Sequence, residues 1–254
     1  MNLPPGPICR YKNEHVDYGT PLEHGEPPGP IGVRPPRALD ELTPIARWMV
    51  QEMRCNAAGE HVVRIRQLNN YSPDTCLAET REWPRWLQLL NGPHWQAACL
   101  DQATSTKLAA LMTWARLVGQ NGPWDHKRII ARIFTPAVDS GTQQWHRYHG
   151  YVYYYDVWSN IHYGYVGRAC GFSKSELLDG AGLEQIVSDL LRLKLVKAAP
   201  EVKGLRRFDH GQDRVAVELG ISLHSSPSVT LDAGRLVRLI LAQGDALERR
   251  SYRT

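Results

Sequence analysis

Three short stretches hold most of the residues suited to proton or phosphate chemistry: WDHK at 124–127, YYDVWSNIHYGYVGR at 154–168 and FDHGQD at 208–213. Asp156 and His162 stand six apart with Asn160 between them, and a turn leading into a helix can fold that spacing into one pocket. Tyr154, Tyr155, Trp158, Tyr163 and Tyr165 would wall it. Each brings a polar tip where a core needing only bulk would use Phe or Leu. The same stretch also reads as an aromatic core whose hydroxyls and single histidine are merely satisfied. Arg168 adds a fixed cation that suits a phosphate or carboxylate. In WDHK, His126 titrates nearest to neutral pH and so suits proton transfer, whereas Asp125 and Lys127 ordinarily lie in solvent. Asp209 and Asp213, four apart, share one face of a helix that starts at 209. Either Asp209 caps that helix and Asp213 sits in its first turn, or the two face His126, Asp156 and His162 as a carboxylate pair. Such a cluster does general acid–base work. It leaves a divalent metal such as Mg²⁺ or Zn²⁺ open, although no metal ligand is assigned and no cofactor is expected.

Several reaction classes drop out. The chain has no HExxH, Walker A, GxSxG or GxGxxG motif. Its five cysteines, at 9, 55, 76, 99 and 170, are odd in number and show no CxxC spacing, so neither a zinc ribbon nor a disulfide framework is expected. A net charge of +4 is compatible with RNA or an anionic envelope surface and selects neither. The basic segment LLRLKLVKAAPEVKGLRR (190–207) reads as a solvated loop or as a patch for an anionic polymer, and it lacks the interleaved aromatics of many RNA surfaces. No apolar run is long enough for a membrane span, and MNLPPGPICRYKNE has neither the basic nor the apolar region of a signal peptide. Export, if it happens, is expected to use another route.

These residues need a scaffold. The Pro/Gly-rich residues 1–40 cannot build a core and read as a linker or arm. In LTPIARWMVQEMRCN, Thr43 suits a helix cap and Pro44 the first helical position. Ile45, Trp48, Met49, Glu52 and Met53 fall at i, i+3, i+4, i+7 and i+8, and all but Glu52 are apolar, which predicts a structural helix. HVVRIRQL (61–68) alternates like a strand, and the Trp- and Pro-rich 81–100 reads as short helices and turns. STKLAALMTWARLV predicts a helix ended by GQNGP, and HRYHGYVYYYDV a strand. From Ser159 to Gly171, close-packed helix and loop both remain open. Ser173 and Glu176 form a capping box, with Phe172 and Leu177 as its staple, for a helix running to about Leu195. A last helix closes the chain. The expected fold is α+β, predominantly α-helical: a single compact domain over 41–224 with a few short strands, and a C-terminal helix in 225–254 packed on it or extending it.

LTPIARWMVQEMRCN, GPWDHK, YYDVWSNIHYGYVGRACGFS, LLDGAG and FDHGQDRVAVELGISL occur in this order, and together they resemble the bacterial polymorphic toxin type 44 domain from about Glu41 to Leu223. The combination of YDxWSNxHYGYxGR with a later DxxxDxxxxxxGI carries the resemblance. It implies a warhead of interbacterial competition, borne by a larger secreted carrier or secretion-system component and neutralised by a cognate immunity protein. It also implies a ribonuclease. The family pattern falls on Asp125, His126, Tyr155, Asp156, Asn160, His162, Asp209 and Asp213. Colicin M-type toxins, which cut the lipid-linked peptidoglycan precursor, offer a shorter echo in Tyr155-Asp156 followed by His162. Here Tyr163 stands where that pattern has Arg, and Tyr153 where it has Asp.

The first expectation is therefore an antibacterial effector acting as a metal-independent ribonuclease. His126 and His162 divide the roles of base and acid, Asp156 orients an imidazole, and Lys127 or Arg168 stabilises phosphate charge. Asp125, Tyr155, Asp209 and Asp213 complete the catalytic set, and Trp158, Asn160 and Tyr163 join Lys127 and Arg168 in holding substrate. The alternative is a periplasmic hydrolase of peptidoglycan or its lipid-linked precursor, since aromatic walls beside carboxylates suit a sugar or isoprenyl-linked substrate. A non-enzymatic binding or pore-promoting module is the third reading. The protein is expected to act inside a target bacterium, in cytoplasm or periplasm.

Overall fold

The computed structural model describes residues 40–91, 94–134, 144–178, 211–226 and 231–252. The N-terminal arm, the basic segment 190–207, Asp209 and the expected extension of a helix to Leu195 lie outside the described residues. The fold is a predominantly helical α+β arrangement with one small antiparallel sheet.

Helix α1 (Leu42–Ala58) follows the apolar spacing read from the sequence: Ile45, Met49 and Met53 are fully buried. Burying side chains of this size stabilises a fold by about 1.5–3 kcal/mol each. The cap differs from expectation. Asp40 Oδ1 accepts from the Thr43 N–H at 2.9 Å, so the shorter acid does the capping and Thr43 lies within the first turn. Helix α2 (Glu60–Asn70) replaces the strand expected at 61–68; only Val62 and Ile65, one turn apart, are buried, and Val63 faces outward. Helices α3 (Pro73–Arg81) and α4 (Arg85–Asn91) are short, and α5 (Trp95–Val118) is long. Cys76 of α3 and Cys99 of α5 form a disulfide, which corrects the expectation of no disulfide framework at this pair. The lack of CxxC pairs argues against a zinc ribbon but does not restrict a bond between cysteines on two packed helices, here with Cα atoms 5.5 Å apart.

After α6 (Lys127–Ile133) comes a hairpin of β1 (Trp145–Tyr148) and β2 (Tyr151–Tyr154), turning at His149 and Gly150 with Tyr148 opposite Tyr151. The stretch left open between helix and loop is helix α7 (Asp156–Ala169). It ends at Gly171, whose φ of +86° suits glycine; the Phe172 N–H bonds the Gly167 carbonyl and the Gly171 N–H the Arg168 carbonyl. Helix α8 (Lys174–Leu178) opens on the expected box: Ser173 Oγ accepts from the Glu176 N–H and Glu176 Oε2 from the Ser173 N–H. Helices α9 (Gly211–His224) and α10 (Ala233–Gln243) follow, and β3 (Arg249–Ser251) pairs with β2 as a third strand.

Two apolar clusters form the interior, and α7 and α9 contribute to both. These two helices cross with their backbones almost in contact. A Cβ on Gly164 would lie 2.1 Å from the Val217 carbonyl oxygen, and one on Gly220 would lie 2.0 Å from that of Ile161. Only glycine at both positions permits this approach. The hairpin ties the start of α7 to the start of α1, because the Glu41 N–H bonds the Arg147 carbonyl and the Arg147 N–H bonds Glu41 Oε2. Helices α1, α7 and α9 are thereby fixed relative to one another, and the turn before α6 completes the frame around the candidate site.

Candidate functional site

WDHK is not a solvated turn. Trp124 and Asp125 are buried and His126 is fully buried, leaving only Lys127 partly exposed. The bend from Gly119 to Trp124 folds back on the end of α5: the Trp124 N–H bonds the Leu117 carbonyl, and Asp125 Oδ2 accepts from the Asn121 N–H at 3.1 Å. That geometry turns His126, at the start of α6, inward. There it meets His162 of α7, with ring centroids 4.2 Å apart in an edge contact. The two histidines expected from separate stretches thus form one pair.

Their polar partners come from α1, which was read as purely structural. Glu52 Oε2 lies 3.4 Å from His126 Nε2 and accepts at 3.4 Å from Asn56 Nδ2, and that same amide nitrogen lies 3.0 Å from His162 Nε2. All four side chains are buried. The amide must present nitrogen here, because its oxygen would face the carboxylate. An amide nitrogen only donates, so His162 Nε2 accepts. A carboxylate only accepts, so His126 Nε2 carries a proton, and in the neutral ring His126 Nδ1 keeps the lone pair. His126 Nδ1 and Asn56 Oδ1 are buried atoms with no hydrogen-bond partner among the described residues. A carboxylate-oriented imidazole with an unengaged nitrogen has the form of a general base. Trp48 packs against His126 at 5.4 Å and Trp124 against His162 at 5.9 Å, so the walls of this cluster are tryptophans from α1 and the turn. Substrate can reach the cluster only if part of that wall moves.

The other expected residues fall into separate places. Asp156, at the start of α7 where the helix dipole favours an acid, pairs with Lys127 at the partly exposed edge. Asn160 donates from Nδ2 to Asp213 Oδ1 at 2.8 Å, joining α7 to α9. Tyr155 forms the N-terminal cap position of α7, with its ring against Tyr154 at 4.7 Å. Trp158 and Tyr163 are buried on opposite sides of α7, one in each apolar cluster, and Tyr163 packs on Trp114. Arg168 donates to the Phe172 carbonyl beyond the end of its own helix. Among the described residues, no three His, Cys, Asp or Glu are arranged to hold a metal ion.

Sequence reasoning passed over Glu52 and Asn56. The available signal was an acid at i+7 of an otherwise apolar stripe, followed one turn later by an amide. A charge on a helix face that must be buried needs a partner, and the partner is the feature worth seeking.

No curated protein and no solved structure matches the chain. Residues 113–226 match the family model described as Bacterial toxin 44. Glu52 and Asn56 lie outside the matched span, whereas His126, Asp156, Asn160, His162, Asp209 and Asp213 lie within it. Over that span the chain is similar to the bacterial toxin 44 family, which supports the resemblance read from its motifs.

Proposed function

We propose that this toxin is an antibacterial hydrolase acting outside the target cell's cytoplasm, on peptidoglycan or its lipid-linked precursor. The observation that carries the address is the Cys76–Cys99 disulfide, together with a bonded Cys55. Such bonds persist in the periplasm and are reduced in the cytosol of most bacteria. The buried cluster supplies the chemistry. His126 Nδ1 takes a proton from the attacking water, Glu52 balances the imidazolium that forms, and His126 returns the proton to the leaving oxygen. His162, held by Asn56, fixes the ring of His126 from the side, and the Lys127–Asp156 pair lies at the edge where substrate charge would arrive.

The ribonuclease reading has one supporting observation, the presence of two histidines in a single cluster. Their geometry does not favour it. Splitting the roles of base and acid across a phosphodiester requires the phosphorus to sit between the two imidazoles, and rings in contact leave no room for it. The effector role, an immunity partner and a larger secreted carrier are what the family likeness suggests, and they are parts of the same proposal.

The test is expression in a susceptible bacterium with and without a periplasmic export leader, alongside purified protein incubated with RNA and with isolated cell walls. Killing confined to the exported form, with intact RNA, supports the envelope reading. RNA cleavage by the purified protein refutes it. If folded His126→Ala and Glu52→Gln variants kill as well as wild type, the catalytic assignment itself fails.

A further inference from the structure

Seven large apolar side chains are strongly exposed among the described residues, and four of them, Trp83, Trp86, Leu89 and Leu100, fall between positions 83 and 100. Trp86 and Leu89, one turn apart on α4, are 64% and 82% exposed, and Leu100 on α5 is 60% exposed. Trp83 ties them together: its ring meets Trp95 at 4.9 Å, and its carbonyl accepts from Gln88 Nε2 at 2.7 Å. The Cys76–Cys99 bond staples α3 to α5 beside them. These side chains are therefore held outward on a braced surface.

Apolar exposure gathered in this way marks a contact surface. The charges say what kind. From Trp83 to Leu100 the chain has no Asp or Glu, and Glu82 and Asp101 stand just beyond the two ends. Arg85, which is exposed, is the one Lys or Arg in the stretch. Tryptophan and leucine beside an arginine, with no carboxylate, suit the boundary between lipid headgroups and acyl chains. Leucine and the indole rings enter its apolar side, the guanidinium meets phosphate, and no acid is repelled by the anionic surface. A protein partner would call for a polar rim around the apolar centre, and Arg85 and Gln88 offer little of one.

We infer that Trp83, Trp86, Leu89 and Leu100 form a membrane-docking face that seats the toxin on an anionic phospholipid bilayer. The inference deepens the envelope reading given above and rests on it, because docking selects the lipid-linked precursor over the finished wall. Helix α5 connects the face with the site. Fourteen residues after Leu100, or about 21 Å along the helix, Trp114 packs on Trp124, whose ring meets His162. A protein seated by this face keeps the histidine pair near the bilayer, where the precursor is anchored.

The experiment uses the full purified chain and vesicles of phosphatidylcholine, alone and with one quarter phosphatidylglycerol. Wild type is expected to sediment with both, more tightly with the anionic mixture, and its tryptophan emission to shift to the blue. The double variant Trp86→Ser/Leu89→Ser, altered only at exposed positions, should melt like wild type and bind at least about tenfold more weakly. Val63→Ser, exposed on α2, should bind like wild type. The inference is overturned if wild type stays in solution with both compositions or if the double variant binds undiminished. A dimer that the double variant abolishes, without vesicle binding, assigns the face to a second copy and overturns it equally. Undiminished killing by the exported double variant overturns the choice of the lipid-linked precursor. His126→Ala separates this inference from the site: it should bind vesicles fully and not kill. Vesicle binding with a lethal His126→Ala sinks the site alone; an inert His126→Ala without vesicle binding sinks the docking face alone.

Discussion

Replacing Glu52 by glutamine isolates the charge that the mechanism requires. Glu52 Oε2 alone receives both the Asn56 amide and the His126 Nε2 proton. A glutamine carbonyl oxygen can occupy the same place and accept both bonds, so Glu52→Gln removes the negative charge and little else. Its effect on stability should be small, within about 1 kcal/mol, since the lost attraction is offset by no longer burying a carboxylate. Its effect on catalysis should be large. When His126 becomes an imidazolium, a carboxylate 3.4 Å away contributes up to about 5 kcal/mol at an effective dielectric constant of about 20. Charge spread over the ring roughly halves that figure, leaving about 2.5 kcal/mol, or a reaction slower by roughly 10²-fold. Glu52→Ala should differ in kind: it strands the Asn56 amide and His126 Nε2 in the interior and should cost about 2–4 kcal/mol of stability as well. The assay pairs survival counts after periplasmic expression with thermal unfolding of each purified variant. A Glu52→Gln protein that melts like wild type and kills like wild type refutes the assignment of His126 as the base.

Three further outcomes follow from the packing and the titrating groups. Gly220→Ala and Gly164→Ala each drive a methyl group to about 2 Å from a carbonyl oxygen of the facing helix and should destabilise the fold by at least about 3 kcal/mol, lowering the melting temperature by about 6–12 °C; Gly150→Ala, with nothing within 4 Å, serves as the control. His146 is fully buried with Nε2 donating to the Phe134 carbonyl at 2.8 Å, and burial holds its pKa below 6.5 against the opposing pulls of that carbonyl and Glu41. A lowered histidine pKa means the unfolded chain binds more protons, so this contribution is complete above pH 6.5 and is lost as pH falls below it, by up to about 1.4 kcal/mol per pH unit. Melting temperatures from pH 8 to 5 should therefore fall more steeply below 6.5 in wild type than in His146→Gln. Glu176 has the opposite chemistry with the same sign: burial raises its pKa, but Lys107 and the Ser173 box outweigh that and hold it below 4.5. Its contribution is present above 4.5 and disappears as pH falls through the lowered value, a loss that Lys107→Ala should reduce in acid unfolding curves.

The sequence was most readable where a local rule and the tertiary fold agree. The capping box at Ser173 and Glu176 and the stop after Val118 need only nearby residues to take shape, and the Tyr- and Val-rich 146–157 was read as one strand where the fold turns it at His149 and Gly150 into two. It misled at 61–68, where Val62, Val63 and Ile65 imitate strand alternation; the helix won by burying one turn-spaced pair and leaving Val63 outside. The strand at Arg249–Ser251 was hidden because three residues, two of them charged, carry no alternation, and its reason for existing is the free edge of β2. Gly164 could be read as close packing or as loop, and only the crossing of α7 with α9, where Gly220 makes the matching approach, decides between those. The histidines were chosen for their chemistry, and their meeting depends on the fold of a distant bend. That bend contains Asn121 with φ of +65°, a conformation the sequence did not announce.

The boundary of the family match bears on the same question. Residues 113–226 include His126 and His162 but neither Glu52 nor Asn56. Within the matched span alone, His126 Nε2 would have no carboxylate and His162 Nε2 no amide donor from α1, so the tautomers inferred above would be unsupported. Helix α1 is therefore a second component of the site. It is docked through Ile45, Met49 and Met53 and anchored to β1 through Glu41. Packing α1 against α7 costs the fold a buried acid and amide where apolar side chains would be simpler to bury. That cost is rational if the cluster does chemistry, because this one helix supplies the polar partners of both histidines.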